Sequence, residues 1–343
     1  MKKILFASSA IVAVAFAGQA SASEPIKLSV GGYMEQWAGF ADEDNTAAGG
    51  RKNAFQSDTE VYFDGRTTLD NGIEIGAHIE LEGETSQDQV DEQFLFINGG
   101  FGRIEMGKND SVADSMGVTG PTVGPVNPND GGTEDWVNLD KVIDTVPSSG
   151  DQNRVSYFTP SLGGFQGGIS FADNSQSNGR LDIDDTAGDQ NLYGSDTSGG
   201  GDNIVSAALT FSHDFDGVSL GLSVEGENED EDNWYGAGVN VGFGNFTVGG
   251  SYGHVDNDGE EDVNAFDLGV TYSMDAASVG LSYAYQDDEE DNVENQGLSL
   301  GMAYTLGAGV SWQSSVFWFD EDAAGTADDN DGYGVVTGLA LSF

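Results

Sequence analysis

Leu298-Ser299-Leu300-Gly301-Met302-Ala303-Tyr304-Thr305-Leu306 alternates a large apolar residue with a small one without a break. Working outward, Phe266, Leu268, Val270, Tyr272 and Met274 interleave with Asp267, Gly269, Thr271 and Ser273. Val279, Leu281, Tyr283 and Tyr285 repeat the pattern, as do Val218, Leu220, Leu222 and Val224. Successive side chains of a strand point to opposite faces, so each segment has one apolar and one small or polar face. A helix needs apolar residues three and four apart, and these segments do not supply them.

The second face decides between a soluble sandwich and a membrane barrel. A sandwich shows charged residues to water, whereas here the second face is mostly Gly, Ser, Ala and Thr. The apolar face is Leu, Val and Phe, with Tyr or Trp near the ends, as expected of strands with lipid outside and an aqueous lumen inside. Backbone groups in lipid must pair within the protein, so such a sheet closes on itself. Connector lengths alternate in support. Asp70-Asn71-Gly72, Asn98-Gly99-Gly100, Leu162-Gly163-Gly164, Asp216-Gly217, Gly244-Asn245, Asp275-Ala276 and Gly307-Ala308 are short turns. Between them lie acidic stretches read as long loops: 225–233, 256–262, 287–294 and 320–332. The expectation is an all-β, 16-stranded antiparallel transmembrane β-barrel with short periplasmic turns and long extracellular loops. Its strands fall near 26–40, 54–69, 73–83, 89–98, 101–108, 153–160, 165–173, 203–213, 218–226, 234–243, 246–255, 263–274, 278–286, 296–306, 309–319 and 333–343. The last alternates from Tyr333 through Val335, Thr337, Leu339 and Leu341 to Phe343. A terminus ending inside a strand is a membrane-assembly signal if that strand must meet the first.

Lys2 and Lys3, the apolar run Ile4 to Phe16 and Ala20-Ser21-Ala22 read as a secretory signal peptide over 1–22, leaving 23–343 as the barrel. Removing that leader takes the formal net charge from −48 to −50. The remaining nine basic residues lie between Lys27 and Arg180, against 59 acidic ones. Nucleic acid binding needs a basic surface and is excluded as a function. There is no cysteine, so an exported chain folds here without disulfides. Nothing calls for a cofactor, and neither G-x-S-x-G nor clustered histidines suggest an enzyme.

Three blocks and the terminus carry a family resemblance: Phe63-Asp64-Gly65-Arg66 through Leu69-Asp70-Asn71-Gly72, Phe101-Gly102-Arg103-Ile104-Glu105-Met106-Gly107, Asn153-Arg154-Val155-Ser156-Tyr157-Phe158-Thr159-Pro160 with Gly164-Phe165, and Phe343. In order and spacing these resemble the Gram-negative general diffusion porins, particularly those of alpha-proteobacteria. The resemblance implies a water-filled channel for ions and small hydrophilic solutes, in the outer membrane of a Gram-negative bacterium. The implied partners are a homotrimer of like chains, outer-membrane lipids, lipopolysaccharide and the barrel assembly machinery. It further implies a third loop folded into the lumen, which fits the connector 109–152 with its Pro121, Pro125, Pro128 and Pro147.

In such a pore, basic wall residues oppose acidic loop residues across the constriction. Alternation puts Arg66 on the polar face with Tyr62 and Asp64, Arg103 with Glu105, and His78 with Glu74, Glu80 and Glu82; Arg154 precedes outward Val155. The basic role therefore goes to Arg66, Arg103, Arg154 and His78, and the acidic role to Asp110, Asp114, Glu134 and Asp135. Local salt bridges are the competing reading of each arginine. The charge balance makes the vestibules negative and cation-preferring. Asp256, Asp258, Glu260 and Asp262 offer clustered oxygen ligands for Ca²⁺ or Mg²⁺, with a solvated charge run as the alternative. A non-conducting barrel acting as an adhesin or structural surface protein would share signal, strands and Phe343.

Overall fold

Apolar alternation becomes a ladder in which each strand pairs antiparallel with its chain neighbour, and the last pairs with the first. The computed structural model describes residues 25–44, 51–83, 89–172, 203–229, 232–256, 262–289, 291–323 and 329–343. The expected signal peptide lies outside them. The first five strands are β1 (Lys27–Glu43), β2 (Asn53–Thr68), β3 (Glu74–Glu82), β4 (Val90–Gly99) and β5 (Gly102–Asn109). A short helix, α1 (Val112–Met116), opens the long connector, which ends at β6 (Gln152–Phe158). Next come β7 (Phe165–Ala172), β8 (Ile204–Phe215), β9 (Val218–Glu229), β10 (Asp232–Phe243) and β11 (Phe246–Asp256). The chain closes with β12 (Val263–Met274), β13 (Ala277–Asp288), β14 (Val293–Gly307), β15 (Val310–Ala323) and β16 (Asn330–Ser342).

The barrel is turned inside out relative to a soluble domain. Val224, Leu268, Leu300 and Val316 are exposed on its outer face, while their neighbours Ser223, Asp267, Ser299 and Ser315 are buried within. All seven short turns lie where the sequence puts them, at one rim. At Asp216-Gly217 both residues have positive φ, 41° and 101°, the turn geometry whose twist matches that of the flanking strands.

At the opposite rim the strands run further than expected. The acidic run 225–233 has the composition of a loop, but β9 continues to Glu229 and β10 resumes at Asp232, with those two residues paired. Likewise β13 reaches Asp288 and β14 starts at Val293. Backbone pairing needs only a partner strand, whereas apolar outward side chains are needed only in lipid. The alternation therefore ends before the ladder does.

Closure rests on β1 and β16, registered from Tyr33 opposite Ser342 to Glu43 opposite Gly332. Phe343 extends the seam: its N–H donates to the Gly32 carbonyl and its carbonyl accepts from the Gly32 N–H, both at 3.0 Å. Each such bond contributes about 0.5–1.5 kcal/mol, and more where water is excluded. Deleting Phe343 should lower the yield of folded, heat-modifiable barrel, read as the electrophoretic shift between boiled and unboiled samples. Wild-type yield would mean that the rest of the β1–β16 ladder suffices for closure.

Candidate functional site

The connector from 110 to 151 lines the inside of the barrel. Ser111 starts it as the N-cap of α1, accepting from the Asp114 N–H at 3.2 Å. α1 buries Val112 and Met116 against Phe158 of β6 and Ala208 of β8. From there the chain follows the inner wall, bonding inward-facing side chains strand by strand. The Val118 N–H donates to Ser223 Oγ (3.0 Å), the Gly120 N–H to Asp267 Oδ2 (2.7 Å) and the Val126 N–H to Ser315 Oγ (3.3 Å). Its far end reaches β1, where the Asn138 N–H donates to Glu43 Oε2 at 2.9 Å. The return path is held the same way. The Asp140 and Lys141 N–H groups donate to Glu321, Asp144 N–H to Gln286 Oε1 (3.0 Å) and Ser149 N–H to Glu227 Oε1 (2.7 Å).

Beneath the segment lies the largest apolar cluster: Val126 and Val137 of the segment against Trp37, Phe317, Phe319 and Val336 of the wall. Full burial of a side chain of this size stabilises by about 1.5–3 kcal/mol. Elsewhere the segment presses against glycines. A Cβ on Gly301 would overlap the Val123 carbonyl oxygen, and one on Gly238 the Val118 carbonyl oxygen. The small residues of the inner face are therefore seats for this segment as well as lumen lining. Gly301→Val should unseat it, raising single-channel conductance in a planar bilayer; an unchanged conductance would place the segment outside the conducting path.

The wall of β2 to β5 is the part this segment leaves uncovered, apart from its base near Glu92 and its far end, which meets the loop-side end of β2 at Gln56. The basic residues singled out from sequence fall into three places. His78 and Arg103 are on that open wall. His78 Nδ1 lies 2.8 Å from Asp64 Oδ1 and Nε2 2.5 Å from Glu80 Oε1. Arg103 pairs with Glu105 and stacks its guanidinium over the Phe96 ring, 4.4 Å from the centroid. Arg66 is exposed near the turn rim, opposite Lys27 in register, away from the segment's contacts. Arg154 does not line the open lumen. Its side chain is wholly buried at the segment's base, where Nη2 donates to Ser149 Oγ (3.0 Å) and the Gly150 carbonyl (2.5 Å).

Asp110 and Asp114 share that base with Arg154. Burial pushes Asp110 up to about 7, aided by Asp114 and opposed by Arg154. Burial also raises Asp114, against a hydrogen bond from Ser148. Glu134 and Asp135 are at the far end, where Gln56 donates to the Asp135 carbonyl and Trp136 covers Gly39. Burial raises the Glu134 carboxyl. Sequence reasoning missed the wall acceptors Glu43, Glu227, Asp267 and Glu321. Only Asp267 stood within an expected strand, on the face opposite the outward apolar residues; Glu43, Glu227 and Glu321 lie beyond the expected strand ends, where alternation assigned no face. Asp258 and Glu260 lie outside the described residues; Asp256 ends β11, and Asp262 faces His254 at 3.9 Å.

Burial pushes Asp144 up to about 7, the Val146 N–H opposing and Asp130, Asp114 and Glu134 adding to the rise. A carboxyl whose pKa is higher when seated favours the seated state at low pH. Seating is therefore strongest below about 4 and weakens as pH rises to about 7, by at most tenfold in the opening equilibrium per pH unit. Hydrogen exchange at 145–146, corrected for intrinsic rates, should show this slope in the wild type and a shallower one in Asp144→Asn, where Asp110, Asp114 and Glu134 still contribute. A flat wild-type profile would contradict it.

A closed polar-lined barrel with an apolar exterior defines an outer-membrane channel. The Gram-negative porin family model matches residues 7–336, and the chain belongs to that family, which places it in the outer membrane of a Gram-negative bacterium. Among solved structures it is similar to the anion-selective porin of Comamonas acidovorans (TM-score 0.63, 15% identity, 93% of this chain and 100% of that one). A porin mutant of Rh. blastica gives 0.62 at 15% identity over 92% and 100%. In-vitro folded OmpT of Vibrio cholerae, in its trimer form, gives 0.61 at 13% over 93% and 100%. At these identities the likeness is one of fold. No curated protein matches the chain.

Proposed function

We propose that the channel passes small hydrophilic solutes by passive diffusion and favours cations, with the segment 110–151 setting its width. The observation that carries this is the charge on the uncovered wall. Glu60, Asp64, Glu74, Glu80, Glu92 and Glu105 face inward there, accompanied by Arg66, Arg103 and His78. Two of these basic groups are already held by carboxylates, His78 by Asp64 and Glu80 and Arg103 by Glu105. A permeating ion therefore meets net negative charge along a low-dielectric wall, which raises the local cation concentration. The anion-selective character of the Comamonas porin does not transfer, because selectivity follows side-chain charge rather than barrel geometry.

A homotrimer is part of this reading. One sector of the outer face carries polar side chains that bond one another: Gln36 Nε2 donates to Ser57 Oγ (2.5 Å), and Ser314 and Thr337 hydroxyls meet at 2.6 Å. Polar groups are costly in contact with lipid chains, which supports β15, β16, β1 and β2 facing another subunit. Outer-membrane lipid and lipopolysaccharide would then contact the remaining strands, and the acidic loop rim would meet any Ca²⁺ or Mg²⁺ held there.

Reconstitution in a planar bilayer across a KCl gradient tests the proposal. The expected result is ohmic steps closing in threes, with a reversal potential on the cation side that shrinks between 0.1 and 1 M salt. The Debye length falls over that range from about 10 Å to about 3 Å. A reversal potential of zero or of anionic sign would overturn the cation preference.

A further inference from the structure

The uncovered wall carries a set of side chains that ion passage alone does not require. We propose that His78, Glu80 and Glu92 form a site for a borderline divalent transition cation of the Zn²⁺ class. One ligand atom from each lies within 4.8 Å of the other two. Three protein ligands leave a further position open to lumen water, and His78 and Glu80 remain partly accessible at 17% and 18% side-chain exposure.

The imidazole sets the class of ion. Two groups that each share one of its carboxylates, Glu60-Glu80-Asp91 and Glu92-Asp110-Asp151, offer oxygen only, and oxygen sets suit hard cations. A nitrogen with two carboxylates suits Zn²⁺, Cu²⁺ or Ni²⁺. The ring is also fixed before any ion arrives. Asp64 takes Nδ1 at 2.8 Å, which in the neutral ring makes Nε2 the bare nitrogen, aimed at Glu80. This is the carboxylate–histidine arrangement that orients metal-bound imidazoles. Tyr62 and Phe94 flank the ring, with centroids 5.9 Å and 5.2 Å away. Nε2 and Glu80 Oε1 lie 2.5 Å apart, bridged by the Nε2 proton when the ring is charged, and a metal ion would take that proton's place. Metal bonds of about 2.0–2.1 Å in tetrahedral array would part the two atoms to roughly 3.3 Å.

The backbone supplies the third ligand. The β3–β4 register shifts between Ile79 and Leu81, so Asp91 and Glu92 together oppose Glu80. Asp91 is the extra residue of this bulge. Glu92 keeps the alternation of Phe94 and Phe96, so it stands on the imidazole side opposite Glu80.

The test is Zn²⁺ titration of the purified, folded barrel with Mg²⁺ present as the hard-cation competitor for the shared carboxylates. One Zn²⁺ per chain is expected, weakened at least tenfold in His78→Gln. Asp64→Asn should keep the stoichiometry and weaken binding by roughly 10–100-fold, since Asp64 only positions the ring. Cu²⁺-loaded wild type should show electron-spin coupling to one imidazole nitrogen, lost in His78→Gln and kept in His213→Gln and His254→Gln. Folding of each variant is checked by heat-modifiability. Should His78→Gln fail to fold, Glu92→Gln and Asp64→Asn decide. Binding that Mg²⁺ displaces, wild-type affinity in these variants, or a nitrogen signal that follows His213 or His254 would overturn the proposal.

Discussion

The structure depends on neutral backbone N–H groups donating to carboxylates and hydroxyls of the inner wall. An acidic segment seated on an acidic wall would be repelled if side chain met side chain. It is held because peptide donors carry no net charge and the carboxylates opposite them, Glu43, Asp267, Glu321 and Glu227, are acceptors only. Hydrogen bonds to a charged acceptor contribute about 1.5–3 kcal/mol, roughly twice the neutral kind. The wall thus uses part of its negative charge structurally. Seating the segment in turn buries Val126 and Val137, giving the hollow sheet an apolar core.

From that constraint follows the division of the lumen. The wall from β6 round to β16 and β1 is occupied by the segment and needs small residues or hydrogen-bond acceptors where the chain passes. The wall of β2 to β5 stays open, and there the inner face carries large and ionisable groups, Tyr62, His78, Phe94 and Arg103 among them. Side chains that a permeating ion can meet are concentrated on one quadrant of the sheet.

Strand number, order and turn positions were legible because alternation is local and lipid enforces it. Three things were not. Strand ends at the loop rim escaped because hydrogen bonding continues past the lipid, where outward residues need not be apolar. The inner glycines read as lumen lining because a residue facing water and one facing a packed backbone are both small; only the path of the 110–151 segment separates them. Arg154 read as a wall charge because alternation gives its face and not what covers it. The run Phe317-Trp318-Phe319, which breaks the alternation, was the one local sign of an apolar cluster inside. The β-bulge at Asp91 and Glu92 left no sequence mark, since it depends on the partner strand.

The segment's partners also fix an order in time. Val126 is tied to a serine 189 residues further along, and Asp140 to a glutamate 181 residues away. A chain that emerges N-terminus first holds the segment with nothing to seat it until β9 to β15 have formed, and contacts of such long range are slow to make. Seating of the segment is therefore a late event of maturation. Until then the sheet lacks its inner layer, and the last gain in rigidity comes from the inside.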